Sequence, residues 1–244
     1  MGHDPVAHQG DGVAGAVAVS QSCAVCGGTD YRDTEVLWQG LIDEWGLSSE
    51  EAAYVNRQQG TQCVRCGSNL RSIALAKAIC RSQGFEGTLD ELIASAPSFD
   101  LLEVNDAGTL HGRLSQFSGH RFASYPEYDL MALALPDGAL DLVIHSDTLE
   151  HVPDPMRALL EMRRVLAPRG CAVFTVPIVI GRLSRSREGL APSYHGNPSE
   201  PASDLMVHTE YGADAWVDVL RAGFGSCELV PFGFPAGIAI IARR

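Results

Sequence analysis

The spacing of apolar positions changes near residue 97. Before it, apolar residues recur at three- and four-residue intervals; after it, short continuous apolar runs alternate with such helical faces. Leu37, Trp38, Leu41, Ile42 and Trp45 share one face of a predicted helix, which puts both tryptophans in a core. Ser48-Ser49-Glu50-Glu51 reads as a capping box opening a second helix through Tyr54 to Gln59, with Gly60 as its stop. A third helical segment covers 69–81, with Leu70, Ile73 and Leu75 to pack, and Thr88-Leu89-Asp90-Glu91 repeats the box before Leu92 and Ile93.

Beyond Pro97 the pattern predicts strands over 100–104 and 120–125, a third within 129–137, a fourth ending at Ser146 and a fifth over 171–176. Between them fall a helix over 109–117 and one opened by Asp154-Pro155, with Asp as cap and proline at the first helical position. Leu159, Met162, Val165 and Leu166 line its inner face. A helix over 211–222 is expected to turn Trp216 and Leu220 inward, and strands over 227–230 and 237–241 form a hairpin-like pair at the sheet edge. Alternation of this kind predicts an α/β fold with a parallel sheet and helices on both faces. The Gly-, Pro-, Ser- and Arg-rich segment 178–207 breaks the rhythm and reads as a lid over the strand ends. Residues 1–21 read as a flexible leader, 22–97 as a helical module and 98–244 as the sheet domain.

Composition narrows the field. With 244 residues and 45% hydrophobic content, the chain can bury a sizeable core plus a small module. No apolar run reaches the roughly 18 residues of a membrane span, and the first residues lack a secretory pattern, so a cytoplasmic protein is expected. The net charge of −12 counts against unassisted nucleic-acid binding, although 182–187 is a local basic patch.

Cys23-Ala24-Val25-Cys26-Gly27 and Cys63-Val64-Arg65-Cys66-Gly67 are two CxxCG knuckles. Each places two thiolates on a tight turn, and together Cys23, Cys26, Cys63 and Cys66 supply the soft ligands of a tetrahedral structural Zn2+ site. A redox dithiol needs only one pair and leaves the other unexplained; an iron site would use the same ligands. Cys80, Cys171 and Cys227 stand alone and read as buried reduced thiols.

The most informative stretch is 141–152, DLVIHSDTLEHV, where a buried run ends abruptly in polar residues. Open α/β sheets bind ligands at such strand ends. With LLEVNDAG at 101–108, the run from DLMALALPDG through LEHVPDP, then LLEMRRVLAPRGCAVFTVP, and Ala222-Gly223-Phe224, the chain resembles the class I S-adenosylmethionine-dependent methyltransferases of the ubiquinone-pathway-like group. The resemblance implies a Rossmann-like sheet preceded here by the small, mainly helical zinc-binding module, and S-adenosyl-L-methionine as methyl donor. By matched position it implies that Glu103 holds the methionine amino group, that Asp129 accepts from the adenine amino group with Leu130 or Met131 flanking the ring, and that Ser146 lines the wall beneath the sulfonium. It also assigns the loop after the first strand to the donor, with backbone N–H groups at the following helix start facing its carboxylate.

Two departures bear on that pocket. The family's ExGxGxG turn has Asn105, Ala107 and Thr109 in its glycine places, with Gly108 out of phase, and asparagine tolerates positive φ better than most residues. The acid expected for the ribose is replaced by Tyr125, with Glu127 two residues on. Methyl transfer requires alignment, plus a base when the nucleophile keeps its proton; His145, His151, His195 and His208 are the candidates. The acceptor expected from the acidic charge and long lid is a small molecule. An RNA- or protein-directed methyltransferase using the zinc module for recognition, and a non-catalytic zinc-organised interaction protein, are the alternatives.

Overall fold

The computed structural model describes Val19, residues 21–194 and residues 205–244. Nearly all of the expected leader, the central part of the 178–207 segment and His195 therefore lie outside the described residues.

Strand β1 (Tyr31–Arg32) is followed by helices α1 (Gln39–Glu44) and α2 (Ser49–Gly60), and β2 (Gln62–Cys63) returns to pair antiparallel with it. Helix α3 (Leu70–Ser82) is capped by Asn69, and α4 (Leu89–Ala94) opens with the Thr88–Glu91 capping box. The predicted box at Ser48 and Glu51 likewise opens α2. The main sheet then begins with β3 (Leu101–Val104), α5 (His111–Leu114), β4 (His120–Ala123), β5 (Leu140–Ser146), α6 (Pro155–Val165) and β6 (Leu166–Thr175). A small ladder of β7 (Arg185–Ser186) and β8 (Thr209–Glu210) precedes α7 (Trp216–Arg221), β9 (Ser226–Phe232) and β10 (Gly237–Arg243).

Six strands form the sheet in the order β4-β3-β5-β6-β10-β9, parallel from β4 to β6 and antiparallel at β10 and β9. This is a Rossmann-like α/β fold, with a mostly parallel central sheet and helices on both faces. Leu142 and Ile144 of β5 point to the face covered by α3, while Val143 points to the face covered by α6 and α7. The core under α3 is continuous with the knuckles, since Cys23, Cys26 and Cys63 pack in one cluster with Leu70, Ile73, Val230 and Phe232. A Cβ at Gly237 would lie 2.3 Å from the Leu70 carbonyl oxygen, so only glycine lets β10 pass this close to the start of α3.

Three expectations are corrected. No strand forms over 129–137 among the described residues. Its backbone is satisfied by α6 instead: the Arg164 guanidinium donates to the carbonyls of Leu133 and Leu135 and to Asp137, and Leu133 N–H donates to Glu161. The polar positions of α6 therefore do the work of a missing ladder. Second, Trp216 and Leu220 are 41% and 43% exposed; the inward face is the narrow row Ala215, Val219 and Ala222. Third, the apolar face of α1 is not core, since no residue of that helix is fully buried and Trp38 is half-exposed.

The 178–207 segment is not structureless where described. Beyond the β7–β8 ladder it bridges Val179 to Gly212 and Tyr194 to Met206. No helix among the described residues is long and apolar enough to cross a membrane.

Candidate active site

The parallel register brings the C-terminal ends of β3 and β5 side by side, with Val104 opposite His145. Asn105 leaves β3 at φ +56°, in the left-handed region that its glycine-like position demands. Its side chain bridges two partners: Oδ1 accepts from Tyr125 N–H at 3.1 Å and Nδ2 donates to Thr148 Oγ1 at 3.4 Å. One asparagine thus ties together the ends of three neighbouring chain segments. Gly108, also at positive φ, starts a short 3-10 turn, and the α5 helix after it is only four residues long. The helix start expected to face a carboxylate is correspondingly reduced, and Ala107 N–H is already bonded to Glu103.

Glu103 lies near the end of β3. It is fully buried, with Oε1 accepting from Ala107 N–H at 3.0 Å and Oε2 contacting His111 Nδ1 at 2.9 Å and His120 Nε2 at 2.7 Å. Its carboxylate anchors the turn from below and is not presented to a ligand. Asp129 is half-buried and accepts from Met131 N–H at 2.8 Å, which is the local turn role of an aspartate. Leu130 is buried, Tyr125 is 55% exposed, and half-buried Ser146 shares a 2.9 Å hydrogen bond with Thr175.

Beside this crevice is a cavity of about 550 Å3. One wall comes from α1 and its flanks, with Trp38, Leu41 and Trp45; the opposite wall is Ile178, Val179 and Leu183 from the lid segment. Its floor is the polar segment just past β5, with Asp147, Glu150 and His151, joined by Tyr211 from the flank of β8. Asp147 stands at φ +49° and is ion-paired with Arg71 of α3. Lid and helices are clasped together, since Arg182 pairs with Glu51 and donates to the Gly46 carbonyl at 2.8 Å, and Ser193 donates to Glu44 at 3.1 Å. Arg182 holds the Glu51 carboxyl down at about 2.

The four histidine candidates separate. His145 is fully buried and stacked on Phe174 at 4.7 Å; neither ring nitrogen has a hydrogen-bond partner among the described residues, and desolvation pushes its pKa down to about 3. It lines neither of the two described cavities. His208 lines a second hollow of about 660 Å3, between the lid and α6 and α7, away from β5. His195 lies outside the described residues. His151 alone of the described candidates lines the cavity beside β5. Its Nδ1 donates to the Met206 carbonyl at 3.1 Å, which fixes the tautomer and turns Nε2 toward Glu150, 3.7 Å away. Burial, with the Asp147 charge added, holds the Glu150 carboxyl well above the usual carboxylate range.

Arg71, Glu150 and the two tryptophans were missed as site residues by sequence reasoning. Arg71 could have been flagged as a single cation between the packing positions Leu70 and Ile73, and Trp38 and Trp45 as an apolar face on a helix too short to bury it. The basic patch at 182–187 is spent internally, with Arg182 on Glu51 and both Arg185 and Arg187 on Glu210.

The Sγ atoms of Cys23, Cys26, Cys63 and Cys66 all lie within 4.8 Å of one another, and the Cys23–Cys66 and Cys26–Cys63 separations are both 3.7 Å. The knuckles lean on the crevice, because Ser68, just past the second one, shares a 2.8 Å hydrogen bond with Thr109. Cys80, Cys171 and Cys227 are unpaired, and burial pushes Cys80 up to about 12 and Cys227 to about 11, as expected of inert thiols.

Comparison with known proteins agrees with the sheet. Residues 112–174 match the family described as a methyltransferase domain. An uncharacterized methyltransferase of Mycobacteroides abscessus is 36% identical over 66 residues, which are 27% of this chain and 26% of that protein. Another, from Mycobacterium bovis, is 30% identical over 103 residues, 42% of this chain and 40% of that protein. The matched part thus spans less than half the length of these relatives. A SAM-dependent methyltransferase of Aquifex aeolicus superposes with a TM-score of 0.41 at 12% identity, over 64% of this chain and 88% of that one.

Proposed function

We propose, from the premise that the chain carries a class I methyltransferase domain, that it is an S-adenosylmethionine-dependent methyltransferase acting on a small molecule held in the cavity between α1 and the end of β5. The observation that carries this reading is the position of the cavity. It opens beside the strand ends where the family binds its donor, and its floor holds a tautomer-fixed histidine. When bound, S-adenosylmethionine supplies the methyl group, the carbon–sulfur bond breaking with its electron pair left on sulfur. Asn105, Gly108, Tyr125, Asp129 and Ser146 would border the donor, with Glu103 acting through the turn it anchors. Leu130 and Ala107 are buried beneath this surface and shape it. His151 Nε2 takes the proton of an O–H or N–H acceptor, and Nδ1–H on Met206 steadies the ring as its charge rises.

The four cysteines fit a structural Zn2+. Tetrahedral zinc with bonds near 2.3 Å sets its sulfurs about 3.8 Å apart, against 3.7 Å here. On this reading 22–97 is a zinc-organised module whose role is to hold α1 and α2 against the lid and so frame the acceptor entrance. The free cysteines suit a reducing, cytoplasmic setting. An RNA acceptor is disfavoured because the arginines of the basic patch are neutralised by acids within the chain.

Titration calorimetry with S-adenosylmethionine on the pure, zinc-loaded chain tests the donor assignment. One-to-one binding is expected, and no detectable heat at millimolar donor would refute it.

A further inference from the structure

The cavity's own chemistry restricts what it takes, and this inference rests on reading it as the acceptor site. Every arginine that lines it has an acidic partner: Arg71 has Asp147, Arg182 has Glu51, and Arg187 shares Glu210 with Arg185. Burial and the neighbouring Asp147 charge push the Glu150 carboxyl toward its neutral form. Among the described residues each of these arginines already has an acidic partner, and burying an ionic ligand there without a counter-charge would be costly. The exposed lining is mostly apolar and carries two indole rings, Trp38 and Trp45, at the two ends of α1.

Two groups of the lining stand out among the described residues: Arg187, whose Nε is buried without a partner although its other nitrogens pair with Glu210 and the Ala191 carbonyl, and the uncharged Tyr211. Tyr211 is 4% exposed, lines the cavity, and its hydroxyl has no hydrogen-bond partner among the described residues. A buried hydroxyl left unpaired is destabilising, and a ligand that pairs it relieves that cost. Burial pushes its pKa upward, so it remains a neutral phenol able to donate. A volume of about 550 Å3 suits a compact multi-ring molecule and is too small for a folded macromolecular surface.

We propose that the acceptor is an uncharged, largely apolar ring compound, packed against Trp38 and Trp45, that presents one hydrogen-bonding group to the Tyr211 hydroxyl.

The test uses the full, zinc-loaded chain and three probes of one shape: 2-naphthol, naphthalene and 2-naphthoate, followed by quenching of tryptophan fluorescence. The neutral alcohol should bind about fivefold more tightly than the hydrocarbon, the span of one neutral hydrogen bond, and the carboxylate weakest of the three. Tyr211→Phe, which keeps the ring, should bring naphthol to the naphthalene affinity and leave naphthalene unchanged; Trp45→Leu should weaken both. Equal or tighter binding of naphthoate than naphthol overturns the proposal, as does a naphthol preference that persists in Tyr211→Phe, or no binding of any probe. Circular dichroism establishes that each variant is folded. The probes are titrated without donor, so failure here is distinct from failure of donor binding, which calorimetry reads separately.

Discussion

At the scale of single residues, Asn105 shows how a departure from a family pattern can be a working part. A glycine in its place would keep the positive φ and lose the links to Tyr125 and Thr148; an alanine would lose the links and strain the backbone as well. With about 1 kcal/mol for the hydrogen bonds and another 1–2 kcal/mol for a left-handed alanine, Asn105→Gly should cost about 1 kcal/mol and Asn105→Ala about 2–3 kcal/mol in urea unfolding. Equal losses would mean that φ is unimportant there. Positive φ at this residue was legible from its place in the turn. The hydrogen bonds were not, because Tyr125 and Thr148 are 20 and 43 positions away. For the same reason Glu103 looked like a ligand: its two histidine contacts lie on the following turn and the next strand, and only their convergence shows that the carboxylate is already occupied.

At the scale of elements, the clasp between α2 and the lid segment decides whether the cavity has two walls. Glu51 serves twice, closing the capping box of α2 and receiving Arg182. Its folded pKa of about 2 lies below the unfolded value of about 4.3. The lower folded value means that the unfolded chain takes up its proton first as pH falls. The stabilisation is therefore complete above about pH 4.3 and fades as pH falls toward 2. Glu51→Gln should melt at a lower temperature than the parent at pH 7, with the two converging as pH approaches 2. A gap that stays constant over that range would show that the ion pair contributes nothing. The box itself was readable in Ser48–Glu51, as was the box at Thr88–Glu91, because capping is a local interaction over three residues. The missing strand over 129–137 was not, since its carbonyls were claimed by Arg164, some thirty residues downstream.

At the scale of the whole molecule, the cysteine cluster and the sheet are joined through one apolar core under α3. If Zn2+ holds the four thiolates, its loss is felt beyond the knuckles. Leu70 and Ile73 pack both on the knuckle cysteines and toward the β9–β10 face, while Tyr54 and Gln58 of α2 both donate to the Ala236 carbonyl. Removal of metal with a strong chelator should lower the temperature of a single calorimetric transition and weaken probe binding in the cavity together. A chelated protein showing two separate transitions, with the later one unchanged, would mean that the sheet is energetically independent. Metal analysis should return one Zn2+ per chain.

What the sequence determined by itself is what depends on neighbours along the chain: the two CxxCG turns, the helix caps, the buried runs of β3, β5 and β6, and the polar break at the end of β5. Those features suffice for an α/β sheet and for the place where its ligands belong. Tertiary structure decided which side chains are still available once the strand ends meet. It enclosed Glu103 and His145, kept His151 on a cavity wall, spent the arginines of 182–187 on acids, and turned an apolar helical face away from the core and onto a cavity. The physical reason is that availability is a property of burial and of partners distant in sequence, which no periodicity records. Tyr211 is the clearest case: in the sequence it is one residue of a polar-aromatic cluster, and as a buried hydroxyl facing an apolar cavity it becomes the group most open to a ligand.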